Sequence, residues 1–139
     1  MTHISRDVLQ TNISAVKNRI TQTASACGRN AKNIRLISVA KTFPVSYIDM
    51  AFGLGLTDFG ENRIQEATQK IEQLPKLAIT WHFIGHLQSN KARTAVSCFD
   101  WIHSVDSEKL LKKLDQAGTE LGKTPQVLIQ TDLAGEATK

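Results

Sequence analysis

Three residues that can do chemistry, Lys41, Asn62 and His82, lie where apolar segments of this chain give way to polar ones. Lys41 follows residues 34–40, a run that is predicted to be a buried strand. An amine held at the edge of a core is partly desolvated, which disfavours its ammonium form and lowers its pKa. The neutral amine can then attack a carbonyl carbon and form an imine. Lys41 is therefore a candidate for aldehyde capture as a Schiff base.

Each of these residues also has a purely structural interpretation. Lys41 taken alone is an ordinary surface lysine, and Glu61 with Asn62 would suit the start of a helix as capping groups. His82 and His86 are four residues apart, but that spacing brings two histidines to one metal only on a helix. The segment that contains them is predicted to be a strand and a loop, so we expect no metal site.

The hydrophobic pattern predicts one amphipathic helix and then alternating strands and helices. The first helix covers residues 4–26, and Gly28 follows it as a cap. Strands are predicted at residues 34–40, 56–59, 79–84, 101–105 and 126–131. Helices are predicted from Pro44 to 52, at 64–74, at 89–96, and after Asp106, which is expected to cap the last one. Strands that begin about 22 to 25 residues apart are typical of βα units on a parallel sheet.

The strand count leaves two architectures open. In parallel sheets the functional side chains gather at the carboxyl ends of the strands, which is where Lys41, Asn62 and His82 are predicted to lie. A closed (β/α)₈ barrel needs eight strands and about 250 residues, whereas this chain has five predicted strands in 139 residues. The sheet is therefore either open and complete or the first part of a longer barrel. No linker interrupts the series, so residues 1–139 are predicted to form one domain.

Composition limits the classes of partner. The net charge of +4 is as compatible with a phosphorylated small molecule as with nucleic acid. The basic residues are scattered and lack interleaved aromatic residues, so we expect no nucleic-acid partner. No apolar stretch approaches the roughly 18 residues of a membrane helix, so we expect no membrane partner. Two cysteines far apart in sequence indicate reduced thiols and a cytoplasmic location.

Three segments carry a resemblance to a known family. They are SVAKT at residues 38–42, FGENRIQE at 59–66 and WHFIGHLQSNK at 81–91. In this order and spacing they resemble the pyridoxal phosphate homeostasis proteins, which bind pyridoxal 5'-phosphate (PLP) and are called YggS-like in bacteria and PROSC in animals. The segment VLIQ at residues 127–130 fits the same family. The resemblance therefore covers essentially the whole chain.

The resemblance implies a fold, a cofactor and a set of site residues. The implied fold is an α/β (β/α)₈ TIM barrel of the alanine racemase N-terminal type, here truncated to about five βα units after an N-terminal helix. Lys41 falls on the lysine that binds PLP as a Schiff base, and Asn62 and His82 fall on pocket residues near the cofactor. The C-terminal part of the barrel, which would carry the phosphate-binding loops, is missing, so PLP binding is expected to be weak.

The implied function is PLP binding in vitamin B6 and amino-acid homeostasis, without established catalytic turnover. One alternative is a PLP-dependent enzyme resembling an amino-acid racemase, which would need a base on each face of the substrate carbon. The other is a half-barrel that binds no PLP and only self-associates. Five parallel strands leave two unpaired edges, and unpaired edges favour association with another chain.

Overall fold

A parallel sheet of five strands organises the part of the chain that the computed structural model describes, residues 4–133 and 135. The strands are β1 Ser38–Val39, β2 Asp58–Glu61, β3 Thr80–Phe83, β4 Trp101–Val105 and β5 Gln126–Ile129. They lie in the sheet in the same order as in the sequence, and every neighbouring pair is parallel. The prediction of an α/β fold built on a five-stranded parallel sheet is confirmed.

One helix precedes the sheet, and one helix connects each strand to the next. The α-helices of the described residues are α1 Arg6–Ala26, α2 Val45–Phe52, α3 Ile64–Gln73, α4 Ala92–Cys98 and α5 Glu108–Leu121, with short 3₁₀ turns at Ala31–Asn33 and Ser89–Lys91. None of these helices is long and apolar enough to cross a membrane. Because the strand order never reverses, right-handed crossovers place α2–α5 on a single face of the sheet. A doubly wound sheet, in contrast, carries helices on both faces.

The helix ends follow the capping chemistry of the sequence, with one difference. The hydroxyl of Ser5 accepts a hydrogen bond from the backbone N–H of Val8 at the start of α1, and Gly28 follows the helix with φ +65°. Helix α5 is capped by Ser107, whose hydroxyl accepts from the backbone N–H of Leu110. The prediction that Asp106 caps this helix is therefore wrong by one residue.

Strand β1 is shorter and more exposed than predicted. Only Ser38 and Val39 are paired as a strand with β2, whereas the prediction covered residues 34–40. Leu36 and Ile37 are half-buried, and Val39 is 47% exposed. The prediction of a buried strand is wrong because β1 lies at the edge of the sheet, where only β2 covers it laterally.

The hydrophobic core lies between the sheet and the connecting helices. Phe83 of β3 lies opposite Ile102 of β4, and both side chains are at most 1% exposed, as is Phe59 of β2. Ile48 of α2 and Leu110 of α5 belong to the same buried cluster. Burying a side chain of this size contributes about 1.5–3 kcal/mol. This face of the sheet, called the helix face below, therefore holds the strands and helices in fixed positions.

The opposite face of the sheet carries a row of aligned positions, Val39, Gly60, His82 and Trp101, which are neighbours in the register of β1–β4. Side chains of parallel partners point to the same side of a sheet. A Cβ added to Gly60 would lie 3.1 Å from the side chain of Ile37, which shows how closely the side chains of this face approach the backbone. We call it the His82 face.

Gly85 is required by a close contact between the loops after β2 and β3. A Cβ at this position would lie 2.3 Å from the backbone oxygen of Asn62 and 2.8 Å from its Cα. We predict that Gly85→Ala lowers the free energy of unfolding by about 1–3 kcal/mol, because backbone atoms must shift to accept the methyl group. Urea denaturation followed by circular dichroism measures the change. Gly53→Ala is the control, since its nearest contacts are at 3.5 Å, and an equal loss in both variants would contradict this explanation.

Candidate functional site

Lys41 lies in a turn two residues after the end of β1. The backbone N–H of Phe43 donates to the carbonyl oxygen of Ala40 across this turn at 3.2 Å. The side chain of Lys41 is exposed, which differs from the expectation of a partly desolvated amine. The reason is again the edge position of β1, because no strand within residues 4–133 covers the far side of the turn. An exposed amine is accessible to an aldehyde from solution.

Asn62 lies beside Lys41 at the same level of the sheet. Val39 is the register partner of Gly60, and Lys41 and Asn62 are each two residues beyond that pair. The Asn62 side chain is half-buried, and its backbone is in contact with the loop that contains Gly85. The structure thus brings these two predicted residues to neighbouring strand ends, and the amide of Asn62 can both donate and accept hydrogen bonds.

Glu61 does not cap helix α3. The N-cap position of this helix is Arg63, which makes no side-chain capping bond, and Glu61 is the last residue of β2. Its side chain is fully buried on the helix face, where Oε1 accepts a hydrogen bond of 2.7 Å from Nζ of Lys70. Burial raises the pKa of the Glu61 carboxyl, and the Lys70 ammonium opposes that rise. The capping interpretation of Glu61 and Asn62 is therefore wrong.

His82 is the centre of a buried hydrogen-bonded chain on the His82 face, and it is only 1% exposed. Its Nε2 is 2.9 Å from Oδ1 of Asp58, and its Nδ1 is 3.0 Å from Nε2 of His103. The ring also stacks on Trp101, with a centroid distance of 6.0 Å and an interplanar angle of 16°. Both ring nitrogens of His82 therefore have protein partners. Contact between His82 and a ligand stays a prediction.

The hydrogen-bonding chemistry of Asp58, His82 and His103 fixes the positions of the protons that these side chains share. An ionised carboxylate only accepts hydrogen bonds, so Nε2 of His82 must donate to Asp58. In a neutral His82, Nδ1 then accepts from His103, and Nδ1 of His103 is left as the basic nitrogen. His103 is half-buried, and its pKa is lowered by burial and by the neighbouring His82. The Asp58–His82–His103 chain can therefore take up a proton at His103.

Arg35 joins this chain from the segment that precedes β1. Its Nε lies 3.5 Å from Oδ1 of Asp58, and its guanidinium carbon lies 5.0 Å from the centroid of the Trp101 ring. The side chain is about half exposed, so each contact is worth at most about 1 kcal/mol. Arg35 therefore orients Asp58 and covers one side of the stacked rings, and this role was not predicted from the sequence.

Asp58 and His103 were also missed by the sequence analysis. Asp58 was predicted within a strand, and His103 lies two residues after Trp101 on the strand that was predicted for residues 101–105. Side chains two residues apart on a strand share a face, so His103 lies on the same face as Trp101. Only the register between strands shows that Asp58, His82 and His103 meet, and no local signal in the sequence carries that register.

His82 and His86 do not share a site. His86 is exposed, with Nδ1 at 3.7 Å from Oδ2 of Asp106, whereas His82 is buried against Asp58. Within the described residues, no group of three or more histidine, cysteine, aspartate or glutamate side chains is arranged to hold a metal ion. The two histidines therefore have separate surroundings at opposite ends of the WHFIGH segment.

The chain is similar to curated proteins of one name. It is 43% identical over 136 residues to the pyridoxal phosphate homeostasis protein of Vibrio alginolyticus, in an alignment that covers 94% of this chain and 58% of that protein. The chain thus spans somewhat more than half the length of the curated relatives it matches. It matches no protein-family model.

Solved structures show the same fold. PipY of Synechococcus elongatus PCC7942, in a structure with PLP bound, has 44% sequence identity and a TM-score of 0.75, covering 85% of this chain and 56% of PipY. The structure of PipY without PLP gives a TM-score of 0.76. An unknown protein from Bifidobacterium adolescentis, with 31% identity, gives a TM-score of 0.88 over 99% of this chain and 61% of that one.

The lowered pKa of His103 predicts a loss of stability in mild acid. The unfolded chain takes up this proton near the ordinary histidine pKa of 6.5, and the folded chain takes it up only at lower pH. The stabilising contribution is therefore complete above 6.5 and is lost as the pH falls toward the folded pKa. We predict that the urea midpoint of His103→Gln falls less between pH 7.5 and 5 than that of the unaltered chain.

His86→Gln is the matched control for this measurement, because the exposed His86 makes one long contact at 3.7 Å. His86 lies outside the Asp58–His82–His103 hydrogen bonds, so the midpoint of this variant should fall more between pH 7.5 and 5 than that of His103→Gln. If the urea midpoint of His103→Gln falls with pH as much as that of the unaltered protein, the lowered pKa of His103 is not the cause of the acid sensitivity.

Proposed function

Because the chain belongs to the family of pyridoxal phosphate homeostasis proteins, we propose that it binds PLP through a Schiff base between the cofactor aldehyde and Lys41. The observation that carries the proposal is the similarity to PipY. PipY is 44% identical to this chain in sequence, and its structure has been solved with PLP bound. The accessible amine of Lys41 at the carboxyl edge of a parallel sheet agrees with it, because ligands of such sheets bind at that edge.

The residues around Lys41 have distinct roles in this proposal. In a Schiff base the Lys41 nitrogen would be joined to the aldehyde carbon by a double bond, which forms with the loss of one water molecule. Asn62, at the same level of the sheet, would orient polar groups of the bound molecule through its amide. His82 would form part of the pocket on the His82 face, where Asp58 and His103 hold its ring by hydrogen bonds. When bound, PLP supplies an electron-withdrawing ring, and the protein supplies position and electrostatics.

The finer architecture is also part of the proposal. We propose that the sheet is the first part of an alanine-racemase-like (β/α)₈ barrel, of which these residues form five units. An uninterrupted strand order supports this, because each crossover proceeds in the same direction as it does around a barrel. Barrel phosphate sites are commonly formed after the seventh and eighth strands, so five units alone would bind PLP weakly.

The role that we propose is PLP and vitamin B6 homeostasis without catalytic turnover. The matched relatives are named for homeostasis, and a binding role fits that name. We further propose a cytoplasmic location, which the free thiols of Cys27 and Cys98 support.

Replacement of Lys41 tests the proposed linkage. We predict that the chain mixed with PLP forms a visible imine band, and that borohydride reduction leaves a stable adduct on Lys41 that peptide mass spectrometry locates. Lys41→Ala should lose the band and at least about 90% of the adduct, because a secondary amine linkage needs this nitrogen. Lys76→Ala removes another exposed lysine and should keep both signals. An equal adduct yield in Lys41→Ala would contradict the assignment.

We also propose that the sheet edges cause self-association. Strands β1 and β5 are the two edges of the sheet, and an edge strand exposes unpaired backbone groups. Four exposed apolar residues lie on these edges, with Val39 at 47%, Val127 at 36%, Leu128 at 44% and Ile129 at 73% exposure. Apolar side chains beside unpaired backbone groups favour a second copy as the neighbour.

Light scattering after size exclusion tests this association. We predict that the mass rises above the 15.4 kDa of one chain as concentration increases, and that Ile129→Lys shifts it back toward one chain. A lysine on an edge strand opposes pairing, because its charge would be desolvated in a continuous sheet. Val8→Lys is the control, since Val8 is 52% exposed and belongs to helix α1, so it is not part of an edge strand. A constant single-chain mass at all concentrations would contradict the proposal.

A further inference from the structure

A buried ion cluster connects helix α3 to the backbone beside Lys41. Lys70 of α3 is only 6% exposed, and its Nζ donates three hydrogen bonds. They reach Oε1 of Glu61 at 2.7 Å, Oε1 of Glu66 at 2.9 Å and the backbone oxygen of Ala40 at 2.8 Å. The residue immediately before Lys41 is therefore held by a buried ammonium.

Glu66 holds the residue immediately after Lys41. Its Oε1 accepts a hydrogen bond of 2.9 Å from the backbone N–H of Thr42. Thr42 has φ +67°, and within the described residues it is the one residue other than glycine with positive φ. A left-handed conformation costs a residue with a Cβ about 1–2 kcal/mol and persists only where its surroundings hold it. The hydrogen bond from Thr42 to Glu66 is such a constraint.

We propose that Glu66 and Lys70 are positioning residues, which fix the turn at residues 40–42 and so direct the Lys41 amine toward the ligand beside Asn62. They act through the backbone on either side of Lys41 rather than through contact with the ligand. This inference rests on the proposed function only in its claim that the amine binds the PLP aldehyde. Fixing a reactive group in advance favours binding because less conformational entropy is lost.

The electrostatics of the cluster agree with this role. Hydrogen bonds from Lys70 and from the Thr42 backbone lower the pKa of Glu66, whereas burial raises the pKa of Glu61. Glu66, whose pKa is lowered, is therefore the carboxyl group that contacts the turn. Oε2 of Glu61 is buried without a hydrogen-bond partner in the structure, as expected where one ammonium serves two carboxyl groups.

Glu66 is the better position for a test, because its side chain is 29% exposed. Removing Lys70 would leave the buried Glu61 without its cation, and that loss destabilises proteins strongly. Glu66→Ala removes the acceptor for Thr42. Glu66→Gln is the matched variant, because its amide oxygen still accepts from both Thr42 and Lys70.

The experiment measures two quantities for the unaltered chain and both variants. The first is the apparent dissociation constant of PLP, from the imine band and from the reduced adduct on Lys41. The second is amide hydrogen exchange at Thr42, by nuclear magnetic resonance. For Glu66→Ala we expect PLP affinity to fall about fivefold to tenfold, because the hydrogen bond that holds Thr42 is worth about 1–1.4 kcal/mol. We expect Thr42 exchange to accelerate by a similar factor.

Glu66→Gln is expected to stay within about twofold of the unaltered chain in both quantities, and circular dichroism at the working temperature verifies that each variant is folded. Unchanged PLP affinity in folded Glu66→Ala overturns the inference, whatever its exchange rate. An equal loss in both variants also overturns it, because the acceptor oxygen would then not be what matters. If the unaltered chain forms no adduct, the proposed function fails, and unchanged Thr42 exchange in Glu66→Ala would then overturn the inference separately.

Discussion

The candidate site depends on the parallel register of the first three strands. Hydrogen bonding between β1 and β2 aligns Val39 with Gly60, and the pairing of β2 with β3 aligns Gly60 with His82. The alignment of β1 with β2 places Lys41 and Asn62 at adjacent strand ends. A slip of one residue would turn each side chain to the opposite face. The register is in turn fixed by the core on the helix face, where Phe59 and Phe83 are buried.

Two polar clusters, one on each face of the sheet, fix the surroundings of the site. On the helix face Lys70 pairs with the buried carboxyl group of Glu61 and with Glu66, and on the other face His82 connects Asp58 to His103. Buried polar groups are costly unless they are paired, and these are paired almost completely. Each cluster joins different secondary-structure elements, so each fixes the relation between elements rather than a local conformation. The turn that carries the exposed Lys41 amine is joined to the helix-face cluster by the hydrogen bond from Lys70 to Ala40.

The differences between prediction and structure have a common cause in long-range contacts. The apolar run at residues 34–40 has the composition of a central strand, yet β1 is a short edge strand because, in the described part of the chain, only β2 pairs with it. Glu61 resembles a helix cap in sequence, but nine residues later Lys70 offers it a buried cation at 2.7 Å. Local propensity describes neither outcome, since both depend on which element lies opposite.

The sequence by itself determined the order and type of the elements, because strand and helix periodicity are local properties of the chain. It also identified Lys41 and Asn62 as residues at strand ends, since the carboxyl ends of parallel strands share one edge. Tertiary structure alone decided that Lys41 is exposed, that His82 is enclosed by Asp58 and His103, and that Lys70 reaches the Lys41 turn. These hydrogen bonds join residues 21 to 30 positions apart, and the packing of helices on the sheet sets their distances.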